Sequence, residues 1–186
     1  PDIVEHCNQL VNIYKQYNLA SKFWRVTIDT NPEDCNLKCI MCYPGSSSQI
    51  MAEAKSHPAV RQFYSEDLNA DFTYAESKRF KEWCEKFLKS SLHIKFTGGE
   101  PFMNPYLLET LRSIPDEQKK KCILHFTTNL TKVNQEILQI FDKFKEIWLS
   151  VSVEGLGDLL EYARYGHQWH RLEENLLTML GIKNVH

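Results

Sequence analysis

Asp34-Cys35-Asn36-Leu37-Lys38-Cys39-Ile40-Met41-Cys42-Tyr43 puts three of the chain's six cysteines within eight residues. Thiolates spaced C-x3-C-x2-C can each hold one iron of a four-iron, four-sulfur cube, because Cys thiolate is the usual protein ligand of such clusters. One iron is then left without a protein ligand. An open iron can bind substrate, whereas a cluster that only carries electrons is normally closed by four cysteines. Zinc is the rival reading, since a structural zinc also takes thiolates but wants four ligands in a tetrahedron. Its fourth ligand would come from Cys7, Cys84, Cys122 or a histidine, and none of these lies in a second C-x2-C pair. The bland reading is buried thiols used for packing. Spacing alone leaves all three open.

Working outward from this loop, residues 23–30 are rich in β-branched and aromatic side chains and read as a first strand. Upstream, Ile3, Val4, Cys7, Leu10, Val11 and Tyr14 recur at helical spacing, so residues 1–22 read as a helical extension with Cys7 packed on its apolar face. Downstream, the polar segment 46–72, broken by Pro58, leaves room for two short helices near the mouth of the cysteine loop. Thr73-x-x-Glu76 is a capping box. It opens a helix that places Phe80, Trp83, Cys84, Phe87 and Leu88 on one face.

Residues 93–97 form a second strand that runs into Gly98-Gly99-Glu100-Pro101. Asn104 as cap and Pro105 as first helical residue start the next helix, and Pro115 stops it. Residues 122–129 are a third strand, in which Cys122 and His125 read as structural. A helix over 134–144 follows, and then a fourth strand over 147–153. The fourth strand's near-continuous apolar run predicts burial on both sides. Glu154-Gly155 closes it, helical segments around Gly166 fill 159–182, and 183–186 open a fifth strand. From the second strand onward, strand starts 25 to 36 residues apart are the scale of βαβ units. The expected fold is therefore α/β with a parallel sheet, and the unusual loops all fall at the C-terminal ends of strands, where such folds keep their reactive groups.

Composition narrows the function classes. Twenty-two Lys and Arg against twenty-four Asp and Glu give a net charge of -2, which offers no electrostatic case for nucleic acid or an anionic membrane. The run Lys119-Lys120-Lys121 reads as a solvated turn. No apolar stretch reaches the roughly 18 residues of a membrane span. Clustered thiols without a secretory signal point to a reducing compartment, with the cytoplasm as the expected location.

The cysteine loop after the first strand and Phe96-Thr97-Gly98-Gly99-Glu100-Pro101-Phe102 after the second resemble the radical SAM (S-adenosylmethionine) superfamily, most closely its members with a SPASM or twitch extension. The resemblance covers residues 23–186 and implies a partial parallel (β/α) barrel. It implies that Cys35, Cys39 and Cys42 hold a 4Fe-4S cluster and that SAM chelates the open iron. Gly98 and Gly99 would let backbone approach the ligand, and Glu100 would accept from the methionine ammonium. Asn129, Ser152 and Glu154 would contact ribose or methionine, and Arg164 would pair with the carboxylate. Met41 stands where the family often carries an aromatic residue near the adenine.

The implied reaction is one-electron cleavage of SAM to methionine and a 5'-deoxyadenosyl radical, which takes hydrogen from substrate. A flavodoxin or ferredoxin would supply the electron. A peptide or protein substrate is the first expectation. A small molecule or nucleoside is the alternative, and a zinc-stabilised non-catalytic module is the runner-up from another class. Because the family's core has six strand-helix units and this chain stops at about the fifth strand, it is expected to be a fragment of a longer protein, which bears on the activity of this piece alone.

Overall fold

The computed structural model describes residues 25–30, 35–64 and 91–186, together with Glu82 and Leu88. The expected helices over 1–22 and 73–88, with Cys7 and Cys84, lie outside these residues.

The first strand, β1, spans Arg25–Thr30, and the cysteine loop contains a two-residue strand, β2 (Lys38–Cys39). A 3-10 turn at Pro44–Ser46 leads into α1 (Ser48–Ser56) and α2 (Pro58–Arg61), the two short helices expected in this segment. Ser47 caps α1 by accepting from the Ile50 N–H, and Pro58 begins α2 at a position where its missing N–H costs nothing.

Next come β3 (His93–Gly98), a 3-10 turn at Pro101–Met103, α3 (Pro105–Ser113) and α4 (Asp116–Lys119). Asn104 caps α3 through the Tyr106 N–H, as its position before Pro105 predicted. β4 (Ile123–Thr128) and α5 (Gln135–Phe141) follow, with Asn134 capping through the Ile137 N–H. The chain continues through β5 (Glu146–Val151), α6 (Asp158–Ala163), the two-residue β6 (Arg164–Tyr165) and α7 (Trp169–Leu180).

Strands β1, β3, β4 and β5 lie side by side in that order, all parallel. Beyond β5 the last residues extend the sheet: Ile147 N–H donates to Asn184, Leu149 N–H to His186, and His186 N–H back to Ile147. The fifth strand thus opens where the sequence placed it.

Helices cover one face of the sheet. Ile94 and Phe96 of β3, Leu124 and Phe126 of β4 and Ile147 of β5 pack there against Leu107 and Leu111 of α3, Ile137 and Phe141 of α5 and Met179 of α7. Phe126 is the hub of this core, with ring centroids 5.0 Å from Phe96, 5.1 Å from Phe102 and 5.3 Å from Phe141. Such aromatic pairs add about 0.5–1.5 kcal/mol each beyond area burial. Cys122 is fully buried in this core, the structural role expected of it.

Two expectations need correcting. β5 is not buried on both sides: Ile147 is buried, but Trp148 and Ser150 on the opposite face are exposed, because the described helices pack against the Ile147 face. Nor is the lysine run uniformly solvated. Lys119 is buried and its Nζ donates to the Arg112 carbonyl at 3.0 Å and to Asp116 at 3.1 Å. An ammonium there satisfies a carbonyl in the last turn of α3, where cations are favoured.

Candidate cofactor site

At the C-terminal ends of the parallel strands, a cavity of about 210 Å³ is lined by Cys35, Cys39 and Cys42 from the loop after β1 and by Gly98 and Gly99 after β3. Asn129 after β4, Ser152 after β5, Met41 and Arg164 also line it. Nine of the eleven residues singled out by sequence therefore share one cavity. Glu100 and Glu154 are not in the lining but hydrogen-bond to residues that are, Glu100 to Thr128 and Asn129 and Glu154 to Arg164.

The cysteine loop is braced from two sides. Ser47 Oγ donates to the Leu37 carbonyl at 2.5 Å and Ser48 Oγ to that of Cys35 at 3.0 Å, so the start of α1 holds one side. On the other, β2 pairs antiparallel with β6, matching Cys39 with Arg164, and Ile40 N–H donates to the Ala163 carbonyl at 2.9 Å. Cys35 and Cys39 are buried and Cys42 half-buried.

Two side-chain donors face the sulfurs. Arg164 Nη1 lies 3.5 Å from Cys39 Sγ, and Asn129 Nδ2 lies 3.8 Å from Cys35 Sγ. Burial pushes the Cys35 thiol up. Cys39 and Cys42 share a hydrogen bond that holds the Cys39 proton in place and lowers Cys42 to about 6. Among the described residues no three His, Cys, Asp or Glu side chains are arranged to hold a single metal ion. Three thiolates with N–H donors beside two of them are a donor set of the kind a multinuclear cluster takes: each iron of a cube takes one thiolate, and N–H donors aimed at the sulfurs are among the features that set a cluster's potential. Zinc would need four ligands converging on one point.

Gly98 has a φ of +119°, and a Cβ on it would stand 1.9 Å from the Thr30 carbonyl oxygen. The glycine therefore lets β3 end against β1 itself, besides baring backbone to the cavity. Glu100 is fully buried. Its Oε1 accepts from Thr128 Oγ1 at 2.7 Å and Phe102 N–H at 3.3 Å, and its Oε2 from Asn129 N–H at 2.6 Å. Burial pushes this carboxyl up while the three hydrogen bonds pull it back. Each carboxylate oxygen can accept twice, so Oε2 keeps acceptor capacity.

Glu154 grips Arg164 with both oxygens, at 2.5 Å to Nε and to Nη2. This fork-to-fork pair fixes the guanidinium against Cys39. Within this chain the carboxylate that Arg164 meets is thus Glu154. Ser152 reaches the cavity from the end of β5, where its N–H bonds the Thr128 carbonyl at 2.9 Å. Met41 sits at the rim, 51% exposed, with room for its side chain to move.

His167, which the sequence did not single out, is buried behind the site. Gln168 N–H donates to its Nδ1 at 2.9 Å, so the proton lies on Nε2, which donates to the Asn129 carbonyl at 2.7 Å. Asn129 is therefore held at its N–H by Glu100 and at its carbonyl by His167. Leu130, next in the chain, takes a φ of +56°, a conformation that a branched residue adopts only when its surroundings enforce it. Asn175 Nδ2 donates to its carbonyl at 2.8 Å and Thr128 Oγ1 accepts from its N–H at 2.9 Å. No local pattern marks His167, because its partner lies 38 residues away in sequence.

The family model for the Radical SAM superfamily matches residues 32–184. An uncharacterized protein of Methanocaldococcus jannaschii is 27% identical over 138 residues, covering 71% of this chain and 40% of the relative. Among solved structures, Streptococcus suis SuiB bound to the precursor peptide SuiA superposes with a TM-score of 0.54 at 18% identity, over 97% of this chain and 35% of that one. SuiB bound to S-adenosylmethionine gives 0.49 at 20% identity, over 92% and 33%. The chain thus spans well under half the length of each of these proteins. No helix among the described residues is long and apolar enough to cross a membrane.

Proposed function

Since the chain belongs to the radical SAM superfamily, we propose that residues 23–186 are core-domain sequence of a radical SAM enzyme, preceded by a helical extension over 1–22. Cys35, Cys39 and Cys42 hold a 4Fe-4S cluster in this reading, and S-adenosyl-L-methionine occupies the cavity beside it. When bound, the two supply reductive cleavage to methionine and a 5'-deoxyadenosyl radical that takes hydrogen from substrate, chemistry that belongs to the cofactors.

The chain's own residues bind and orient. Arg164 and Asn129 donate to the sulfurs, and Glu154 fixes the guanidinium. Gly98 and Gly99 keep side chains out of the cavity wall, Ser152 offers a hydroxyl, and Met41 gives a polarizable rim contact for an adenine. Glu100 uses its spare acceptor capacity for an ammonium group. Asn129 keeps its own geometry through Glu100 and His167.

The electron comes from a flavodoxin- or ferredoxin-type protein. A peptide is the substrate class to test first, because SuiB, which shares the fold, has been solved bound to a precursor peptide. Within the superfamily, the motif residues Cys35 to Cys42 and Phe96 to Phe102 resemble those of SPASM or twitch members.

The observation that carries this reading is the convergence of three cysteines, two glycines and Asn129 on one cavity at the strand ends. The test is anaerobic reconstitution with iron and sulfide, followed by EPR of the reduced protein with and without SAM. A four-iron signal that changes on adding SAM is expected. Uptake of one zinc and no iron, or a signal indifferent to SAM in folded protein, would overturn it.

A further inference from the structure

The sheet face opposite the helices continues downward from the cofactor cavity. Alternation along the strands puts Thr127 and His125 of β4, Lys95 of β3 and Trp148 and Ser150 of β5 on this face, since their neighbours Phe96, Leu124, Phe126 and Ile147 face the helices. Thr127 lines the cavity. His125 stands two residues below it, about 7 Å along the strand. Lys95 is level with His125, and His125 is level with Trp148. His125 Nε2 and Ser150 Oγ are hydrogen-bonded at 2.8 Å. His93 closes the lower end, stacked on His125 at 5.8 Å and edge-on to Trp148 at 5.2 Å.

Among the described residues the charges on this face are unbalanced. Both histidines are pushed down by burial and by the cations Arg25 and Lys95, His93 to about 4, so they are neutral near pH 7 and serve as hydrogen-bonding groups. Lys95 is half-buried and has no hydrogen bond or ion pair to any described residue. Neither acid on this face of the described sheet neutralises it. Asp29 on β1 has its carboxyl raised by burial, with no pull from Lys95, and Glu146 is engaged by Trp148 Nε1 at 3.0 Å and Lys145 at 3.8 Å. A partly desolvated ammonium calls for an anionic partner.

We propose that this face is the substrate surface and that it selects a substrate carrying a carboxylate next to a flat apolar group. Lys95 takes the carboxylate and the His125–Ser150 pair its hydrogen bonds. Trp148 is the platform, and the reacting carbon is presented upward past Thr127. A single ammonium matches a monoanion, whereas phosphate is usually met by several donors or an Arg fork. The inference rests on the cofactor assignment above, because the direction in which substrate is presented comes from it.

The test uses the whole chain, reconstituted and 15N-labelled at His and Trp. The probes are 3-phenylpropionate, its neutral isostere 3-phenylpropionamide, and inorganic phosphate. SAM binding is measured on the same samples by calorimetry. The carboxylate should shift the Trp148 indole and His125 signals saturably, with the amide at least tenfold weaker. Lys95→Gln should abolish that preference and Lys95→Arg retain it, both leaving SAM affinity unchanged. Equal response to acid and amide, an unaltered preference in Lys95→Gln, or a response to phosphate alone would overturn the proposal. Intact SAM binding with no carboxylate response counts against this inference only. Loss of SAM binding in the unsubstituted chain counts against the cofactor reading.

Discussion

Replacing Gly98 by alanine separates two costs that the structure superimposes at the end of β3. A residue other than glycine at φ +119° carries strain of about 1–3 kcal/mol. The added Cβ also meets backbone, with Thr30 O at 1.9 Å and Thr30 C at 2.9 Å, and forcing a methyl into packed atoms costs about 1–3 kcal/mol. Thr30 cannot yield cheaply, because it is level with Gly98 in the β1–β3 ladder and its Oγ1 donates to Thr97 O at 2.7 Å. The loss should therefore be about 4 kcal/mol. Gly157 supplies the control. Its φ is also positive, at +55°, but a Cβ there meets nothing within 4 Å. Only the backbone cost remains, less about 0.4–1 kcal/mol gained from the stiffer unfolded chain, for a net loss of about 1–2 kcal/mol. At about 2–4 °C per kcal/mol for a chain of this size, Gly98→Ala should melt about 8–16 °C below the unsubstituted protein and Gly157→Ala by roughly a quarter to a half of that. Circular dichroism melts without added iron read this directly. If the two variants melt within a degree of each other, the close approach of β3 to Thr30 is not what requires Gly98.

His93 makes the fold sensitive to acid: its folded pKa of about 4 lies below the ordinary 6.5, so the stability it contributes is whole above about pH 6.5 and drains as pH falls toward 4. Melting temperatures across that range should fall less steeply in His93→Phe than in the unsubstituted chain. His167→Phe leaves the Asn129 carbonyl without its donor and should cost about 1–3 kcal/mol in urea unfolding; an unchanged midpoint would remove His167 from the site's framework. Arg164→Lys keeps the charge but not the fork that meets Glu154 and Cys39 together, so reconstituted protein should retain iron no better than Arg164→Gln on gel filtration. Phe126→Leu empties the centre of three ring contacts and should destabilise by roughly 1–3 kcal/mol, short of the 3–5 kcal/mol of a full truncation.

What the sequence disclosed, it disclosed through local signals. The Asn104-Pro105 and Asn134 caps named two helix starts, alternation and apolar runs named the strands, and three conspicuous loops fell at strand ends. What it withheld depends on residues far apart. The pairing of Cys39 with Arg164 spans 125 residues, and no periodicity reports it. The apolar run in β5 was the same whether helices lay on one side or two, so only the packed fold shows Trp148 exposed. Glu100 looked like a ligand-facing acid. That it is also the clasp joining the end of β3 to Asn129 follows from parallel strands bringing residues 100 and 129 together. Lys119 stood in a run of three identical charges, and only the C-terminal carbonyl of α3 distinguishes it from its neighbours.

The bracing of the cysteine loop by β6 sets an order of events during synthesis. Cys39 leaves the ribosome 125 residues before Arg164, a gap of roughly 6–25 s at typical elongation rates. Through that interval the three thiols hang on a loop with only its α1 side in place, lacking the guanidinium that faces Cys39 and the backbone partner of Ile40. Iron delivered early would meet an unfinished socket, and a premature bond to oxygen or to a stray thiol would meet no obstacle. On the proposed cluster reading, loading is therefore a task for the folded chain, in which β6 already braces the loop, and not for the nascent one.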